Sequence, residues 1–273
     1  LKTPTLSLNY LPNEFRSIKN LYQFALAPED EAKSAATRII NDGYQRGVVF
    51  VPANEWGQRM LSSFETKLIE INGIVLDSVK FEPLAQDFSL DIQSLMGIKN
   101  SQLRHQKLRQ KIQQSIEFEP RRRQDVDFIF LASNSNLGRL IKSQLKFHYS
   151  GDIPVYSTSF IHSLNDQPES DLNDIMFADV PWVIEPNKST ISDQNIYTNF
   201  WPKESPLARL HAMGHDAFYL IASLNKNNNY TEIKIAGGTG ELYITPDKKI
   251  HRNLKWAKFV RGIPKELPPQ SNP

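Results

Sequence analysis

The first half of the chain alternates between extended apolar runs and apolar residues spaced as on one face of a helix. The extended runs predict strands at residues 5–10, 22–26, 48–51, 74–81, 128–132 and 155–158. Apolar stripes with helical spacing predict helices through residues 32–40, 60–71 and 137–145. Because strands and helices follow each other in turn, the pattern predicts βαβ crossovers and a parallel sheet.

The pattern changes in the second half of the chain. A polar connection is predicted at residues 187–205, and the apolar face of a helix follows at residues 207–224. Extended stretches are predicted at residues 175–178, 180–184, 241–245, 250–252 and 256–260, the last three in antiparallel style. The proline-rich tail from Pro264 onwards is expected to be frayed.

The composition is that of a folded protein without a strong overall charge. Of the 273 residues, 40% are hydrophobic and 23% are charged, and the formal net charge is +2. So small a net charge provides no global attraction to nucleic acid. The sequence contains no cysteine, which excludes disulfides, thiol nucleophiles and thiolate metal sites. No stretch approaches the roughly 18 apolar residues of a membrane-spanning helix.

Three loops that follow predicted strands carry small polar residues. They contain Asn54 and Glu55, then Ser133 and Asn134, then Ser157, Thr158 and Ser159. In an open parallel sheet, ligands bind beyond the carboxyl ends of the strands, so these seven residues form a candidate cleft. Capping of the following helices explains the same residues equally well. The sequence leaves both interpretations open.

A basic, polar stretch interrupts the alternation at about residues 84–124 and is predicted to be a helical insertion. Its cations include Lys99, Arg104, Lys107, Arg109, Lys111, Arg121, Arg122 and Arg123. One interpretation is a solvated helical arm. The other is a docking surface for an acidic protein patch, an anionic glycan or a phospholipid, with Arg104, Lys107, Lys111 and the three consecutive arginines as contacts. Aromatic residues are nearly absent, which disfavours nucleic acid.

No motif in the sequence assembles a catalytic or metal centre. The segment Gly237-Gly-Thr-Gly resembles a phosphate cradle, but a strand is predicted after it where a cradle needs a helix, which favours a structural turn. His211 and His215 share one helix face, yet spacing offers no third metal ligand. No Gly-x-Ser-x-Gly elbow occurs. The sequence therefore predicts no catalytic residue, no metal site and no cofactor.

Several spaced segments together resemble one known family. They are Leu26-Ala-Pro-Glu-Asp-Glu-Ala, Glu117-Phe-Glu-Pro-Arg-Arg-Arg-Gln-Asp-Val-Asp-Phe-Ile-Phe-Leu-Ala, His148-Tyr-Ser-Gly-Asp-Ile-Pro-Val-Tyr-Ser-Thr-Ser, Asp179-Val-Pro-Trp, Arg209-Leu-His-Ala-Met-Gly-His-Asp-Ala and Gly237-Gly-Thr-Gly-Glu-Leu. From about Pro4 to Val260 the chain resembles the C-terminal domain of the LppC family of Gram-negative envelope lipoproteins. The resemblance implies an α/β fold like that of type I periplasmic-binding proteins, in which two lobes of parallel sheets are flanked by helices.

The resemblance also implies how the chain divides between the lobes. Residues 1–26 and 187–235 would form a first lobe that is incomplete at its N-terminus, and residues 27–186 and 236–273 would form the second lobe. The basic insertion would then belong to the second lobe. The lipidated cysteine and the helical-repeat N-terminal domain of the family are not among these residues, so attachment to a membrane through a lipid anchor is an expectation from the family alone.

The role that the resemblance implies is regulatory. A non-catalytic protein on the periplasmic side of the outer membrane would bind and activate a class A penicillin-binding protein, a bifunctional peptidoglycan synthase. Peptidoglycan fragments are a second candidate partner, and nucleic acid is not expected. The main alternative is a periplasmic solute receptor that closes its lobes around a small metabolite or cell-wall fragment. A cleft enzyme that acts on cell-wall material is a third hypothesis.

Overall fold

A computed structural model describes residues 2–113, 117–164, 167–188, 190–201, 205–226 and 233–268. Two β-sheets divide these residues into two lobes. The strands are β1 Thr5–Ser7, β2 Leu21–Phe24, β3 Arg46–Pro52, β4 Ile74–Phe81, β5 Phe128–Leu131, β6 Val155–Ser157, β7 Met176–Asp179, β8 Lys234–Ala236, β9 Glu241–Ile244, β10 Lys249–Asn253, β11 Lys255–Val260 and β12 Ile263–Glu266. The helices are α1 Pro28–Asn41, α2 Glu55–Glu70, α3 Ser89–Leu95, α4 Ile98–Ile112, α5 Ser135–Phe147, α6 Pro181–Ile184, α7 Ile191–Phe200 and α8 Ala208–Lys226.

The larger lobe is built on a seven-stranded sheet with the order β12-β11-β7-β6-β5-β3-β4. The five strands from β7 to β4 are parallel, and β11 and β12 extend the sheet with antiparallel pairs. Val48 and Phe50 of β3 pack on one side of the sheet, whereas Val49 and Val51 pack on the other. Side chains alternate between the two faces of a strand, so a strand that is covered on both faces reads as a continuous apolar run.

Helices bury both faces of this sheet. On the side of Val49, α1 and α2 pack through their apolar stripes, and Phe64 of α2 stacks on Phe130 with ring centroids 4.1 Å apart. On the other side, α3 and α5 contribute Ile92 and Ile141 to the core. These elements confirm the parallel sheet and the crossover helices that the sequence predicts.

The smaller lobe contains a five-stranded sheet with the order β1-β2-β10-β9-β8. Helix α8 covers one face, where Met213 and Leu220 pack with Phe24, Leu242 and Ile250. None of the helices in the described part of the chain is long and apolar enough to cross a membrane.

The position of β9 and β10 corrects the lobe boundary expected from the sequence. The assignment of residues 236–253 to the second lobe is wrong, because β10 pairs with β2 and β9 pairs with β8. The chain returns to the larger lobe only at β11, so this crossing lies next to Asn253 and not near Ile235. The local pattern shows that two strands are antiparallel but does not show which sheet they join.

Four other segments differ from the predictions. Residues 181–184 form helix α6, because Pro181 suits a first helical turn and cannot donate to a sheet. Helix α7 occupies the predicted polar connection, and β12 pairs with β11 where a frayed tail is expected. The predicted insertion at residues 84–124 is only partly separate, because Phe88, Ile92 and Leu95 are buried in the core of the larger lobe.

Two glycines provide a matched test of the packing. A Cβ atom on Gly57 would lie 2.0 Å from the carbonyl oxygen of Pro52, whereas a Cβ atom on Gly214 would meet no atom within 4 Å. We expect Gly57→Ala to destabilise the protein by about 1–3 kcal/mol through overpacking. We expect Gly214→Ala to stabilise it by about 1 kcal/mol, because alanine favours a helix interior. Urea unfolding measures the change in the free energy of unfolding for each variant. Changes of the same sign in both variants would contradict this account of the packing.

Candidate functional site

The structure places the three predicted loops at one edge of the larger sheet. They follow β3, β5 and β6, which are neighbours in the sheet and parallel. The carboxyl ends of these strands face the smaller lobe, because the Ser157–Ser159 loop is contacted by Arg209 at the start of α8. The predicted cleft residues therefore lie at the junction between the lobes.

The two asparagines in these loops act as helix caps. Asn54 accepts a hydrogen bond from the backbone N–H of Gly57 at 2.8 Å, and Asn134 accepts one from Leu137 at 2.9 Å. Glu55 is exposed in the first turn of α2, where a negative charge favours the helix dipole. For Asn54 and Asn134, the structure thus shows the capping arrangement that the sequence left as an alternative.

The serine that ends β6 and the serine two residues later make hydrogen bonds within the protein. The Ser157 hydroxyl donates to the carbonyl oxygen of Leu131 at 2.6 Å. The backbone N–H and the hydroxyl of Ser159 donate to the two carboxylate oxygens of Glu31 at 2.8 and 3.0 Å. Ser133 and Thr158 are different, since their buried hydroxyls have no hydrogen-bond partner within the described residues. Of the four cleft hydroxyls, these two are the ones without any hydrogen-bond partner among the described residues.

Glu31 reaches the cleft from the first turn of α1 and is buried there. Burial raises the pKa of its carboxyl, and the positive charges of Arg252 and Arg209 oppose that shift. A carboxylate in this position occupies the donors of Ser159 that a bound anion would otherwise use.

Arg209 connects the two lobes across the cleft. It is the second residue of α8, and its Nε and Nη2 atoms donate to the carboxylate of Asp179 at 2.8 and 2.6 Å. Nη2 also donates to the carbonyl oxygens of Ser159 at 2.9 Å and His162 at 3.3 Å. Asp179 ends β7 and is fully buried. The guanidinium therefore fills the strand-end edge with a fixed positive charge from the opposite lobe.

The burial of Asp179 is compensated by Arg209. Burial by itself raises the pKa of this carboxyl, but the charge and hydrogen bonds of Arg209 outweigh burial, and the pKa lies below its ordinary value of 3.8. Asp179 is therefore ionised over the neutral range, and its salt bridge with Arg209 joins a residue of the larger lobe to α8. The sequence did not single out Arg209, Asp179 or Glu31 as site residues. The only available signal was their presence in the segments that carry the family resemblance.

The glycine-rich segment binds an anion, but the anion is a side chain of the protein. The backbone N–H groups of Gly238 and Thr239 each donate to the carboxylate of Asp216 at 2.7 Å. Strand β9 follows this segment, in agreement with the structural turn favoured by the sequence. The loop is therefore held against α8 by Asp216.

The two histidines of α8 contact side chains of α7 and of α8 itself. His215 places Nδ1 3.0 Å from Asp216 and Nε2 3.0 Å from Asp193. The His211 ring lies against Tyr197, with ring centroids 4.1 Å apart. Within the described residues, no group of three or more histidine or carboxylate side chains is placed to hold a metal ion.

A groove of about 890 Å³ lies outside the predicted cleft, between α1 and the strands β9 to β11. None of the seven predicted cleft residues lines it. Several polar groups on its walls are paired with each other: His251 with Asp30 at 3.1 Å, Lys255 with Glu266 at 2.8 Å and Lys67 with Glu70 at 3.3 Å. Its walls are thus polar, and part of their hydrogen-bonding and charge capacity is used within the protein.

The candidate docking residues fall into two groups. Arg122 pairs with Asp152 at 2.6 Å, and Arg123 pairs with Asp125 at 2.6 Å, so both are engaged within the larger lobe. Arg104, Lys107 and Lys111 lie exposed on α4, and Arg121 is exposed beside the first turn of that helix. No ion pair involving these four cations is present among the described residues. Of the six candidate docking residues, Arg104, Lys107, Lys111 and Arg121 are therefore the ones whose charges have no ion-pair partner among the described residues.

Comparison with known proteins gives consistent matches over nearly the whole chain. The model of the LppC lipoprotein family matches residues 2–262. The penicillin-binding protein activator LpoA of Vibrio vulnificus is 29% identical over 259 residues, which cover 93% of this chain but only 42% of that protein. The chain thus spans less than half the length of this curated relative.

Solved structures show the same architecture. The LpoA C-domain from Haemophilus influenzae, described as a regulator of PBP1A, matches with a TM-score of 0.71 at 21% identity, covering 97% of this chain and 74% of that chain. An ABC transporter substrate-binding protein from Desulfitobacterium hafniense matches with a TM-score of 0.61 at 13% identity, covering 96% of this chain and 72% of that chain. These matches confirm the periplasmic-binding-protein-like α/β fold predicted from the sequence.

Proposed function

The chain belongs to the LppC lipoprotein family, and on that premise we propose that it is a non-catalytic regulator that binds and activates a class A penicillin-binding protein. This synthase is bifunctional, joining glycan strands and cross-linking their peptides. The proposal places the domain on the periplasmic side of the outer membrane, in keeping with a family of envelope lipoproteins. The relative from Vibrio vulnificus, named as an activator of penicillin-binding proteins, supports the role.

The observation that carries the proposal is the state of the interlobe cleft. A solute receptor of this fold needs polar groups that are open to a ligand between its lobes. Here Arg209 and Glu31 occupy the donors and acceptors at the ends of β6 and β7. A cleft whose strand-end groups already bind the protein's own charged side chains suits a surface that binds a partner protein better than a receptor that takes a ligand between its lobes.

Activation in this scheme is a binding effect. The domain stimulates the synthase if it binds an active conformation of the enzyme more tightly than an inactive one. No reactive side chain of the domain takes part. The expected thermodynamic signature is therefore a coupling between domain binding and substrate binding on the synthase.

Reconstitution tests the proposal directly. The purified chain, added to a purified bifunctional synthase with its lipid-linked substrate, is expected to raise the rates of glycan polymerisation and cross-linking. The chain alone, incubated with peptidoglycan, is expected to release no fragments. The absence of both stimulation and binding would refute the activator role, and released fragments would instead support a cleft enzyme.

A solute receptor remains the second candidate because of one specific observation. The buried hydroxyls of Ser133 and Thr158 keep unused hydrogen-bonding capacity at the cleft. A ligand bound there should raise the melting temperature in proportion to the logarithm of its concentration above Kd. Thermal-shift measurements with amino acids, sugars and muropeptides separate the two candidates, since an activator without a cleft ligand shows no such rise.

A further inference from the structure

Helix α4 carries cations and exposed apolar side chains in two adjacent rows. Residues four apart lie one turn apart on a helix surface. One row consists of Lys99, Leu103, Lys107 and Lys111, and the neighbouring row consists of Asn100, Arg104, Leu108 and Ile112. All eight side chains are exposed, and Leu103, Leu108 and Ile112 expose 45%, 48% and 46% of their surface.

The charge of this helix is entirely of one sign. Its fifteen residues contain five lysines and arginines and no aspartate or glutamate. Residues that stabilise a solvated surface helix usually include acidic partners one turn away, and α4 has none. Self-repulsion on this scale favours a partner that supplies negative charge.

The helix is fixed at its base and free beyond it. Ile98 and Ser101 of the first turn are buried, and the Ser101 hydroxyl accepts a hydrogen bond from the backbone N–H of Arg121 at 3.3 Å. The ring of His105 stacks on Phe118 with centroids 4.1 Å apart. From Gln106 to Ile112 every residue is exposed. The helix is therefore a preorganised arm, which lowers the entropy lost when a partner binds.

The distribution of the side chains discriminates between two kinds of anionic partner. A helix that lies on a bilayer needs its cationic and apolar residues on opposite faces. On α4 they are interleaved, since Leu103 lies between Lys99 and Lys107 in the same row. A protein surface can present acidic and apolar groups in alternation, whereas a lipid surface cannot.

We infer that the two exposed rows of α4 are the recognition surface for the synthase and fit an acidic surface with an apolar recess on it. The inference rests on the proposed function and goes further by naming the docking element and the chemistry of its complement. Leu103 and Leu108 enter the apolar recess, while Lys107, Lys111 and Arg104 face carboxylates around it. Arg122 and Arg123 pair with Asp152 and Asp125 within the larger lobe and do not contact the partner.

The test compares two triple charge reversals in the full chain. The arm variant is Arg104→Glu/Lys107→Glu/Lys111→Glu. The control variant is Lys146→Glu/Lys234→Glu/Lys265→Glu, which changes the formal charge equally at exposed lysines outside α4. Affinity for the periplasmic part of the synthase is measured at low and high salt, and circular dichroism and thermal melting check the fold of each variant.

We expect the arm variant to lose about tenfold or more in affinity and most of the salt dependence, while the control stays within about twofold of wild type. A Leu103→Ser/Leu108→Ser variant is expected to weaken binding without changing the salt dependence. Equal affinities for the arm and control variants, with wild-type stimulation by both, would overturn this inference and leave the activator role standing.

A vesicle-binding experiment distinguishes an acidic protein partner from an anionic lipid surface. Wild-type chain is mixed with vesicles of phosphatidylglycerol and phosphatidylcholine and with vesicles of phosphatidylcholine alone, and bound protein is measured by sedimentation. One result would make a lipid surface the partner and overturn the inference. In it, the wild type and the control variant bind the anionic vesicles, the arm variant does not, and the arm variant keeps the wild-type affinity for the synthase. A wild-type chain that neither binds nor stimulates the synthase would remove the proposed function itself and this inference with it.

Discussion

Replacing Asp216 with alanine is expected to destabilise the protein by about 3–5 kcal/mol, the range for removing one partner from a buried charged network. Asp216 is fully buried in α8. Its carboxylate accepts the backbone N–H groups of Gly238 and Thr239 at 2.7 Å and the Thr239 hydroxyl at 2.5 Å. Alanine leaves these three donors without an acceptor in the interior. The midpoint and slope of urea unfolding measure the loss.

Asp193→Ala is the matched control for this result. Asp193 is partly exposed and contacts the His215 ring at 3.0 Å, so we expect its removal to lower stability by about 1 kcal/mol or less. The loss of stability for Asp216→Asn should lie between those of Asp216→Ala and Asp193→Ala, because the amide keeps one acceptor oxygen for the glycine-rich loop. A loss for Asp216→Ala as small as that of the control would mean that the glycine-rich loop does not depend on α8.

Replacing Arg209 with methionine is expected to have an effect of similar size and to loosen the junction of the lobes. Methionine keeps much of the side-chain volume but removes the cation that compensates the buried Asp179. An uncompensated buried charge destabilises by about 3–5 kcal/mol. Urea unfolding measures the stability, and small-angle X-ray scattering measures the radius of gyration, which should increase if the lobes separate.

The control substitution is Arg59→Met. Arg59 pairs with Glu29 at 2.6 Å, but half of its side chain is exposed, so we expect a change of about 1 kcal/mol or less. A similar small change for Arg209→Met, with an unchanged radius of gyration, would show that Arg209 does not hold the lobes together.

The free energy of unfolding should change with pH in opposite directions in the wild type and in Arg209→Met, in the pH range where Asp179 titrates. In the wild type its pKa lies below the ordinary value, so the stabilisation is present above that value and is lost as the pH falls through the lowered pKa. Without Arg209, burial raises the pKa of Asp179, and this carboxyl then disfavours folding at neutral pH. The stability difference between wild type and Arg209→Met should therefore narrow on acidification.

Residues that interact with near neighbours in sequence were predictable. Continuous apolar runs identified β3 and β5, because a strand that is buried on both faces has few polar positions. Asn54 and Asn134 were recognisable as potential caps, because capping links a side chain to a backbone N–H three residues away. The position of the strand-end edge followed from the order of strands and helices.

Contacts between distant parts of the chain were not predictable. Arg209 and Asp179 lie 30 positions apart, and Glu31 and Ser159 lie 128 positions apart. The same applies to β9 and β10. The sequence indicated that these strands are antiparallel, but it did not indicate which of the two sheets they join. In the basic segment, neither charge nor spacing showed that Arg122 and Arg123 pair internally while α4 is exposed.

The sequence by itself determined the α/β class, the crossover helices of the larger lobe and the edge where its polar loops meet. The tertiary structure alone decided that Glu31 and Arg209 occupy this edge and that, among the basic residues at 99–123, the cations of α4 are exposed while Arg122 and Arg123 are paired. The physical reason is that periodicity and capping are set by neighbours within a few turns. Burial and charge pairing depend on which surfaces the folded chain brings together, and one sequence pattern is compatible with several such arrangements.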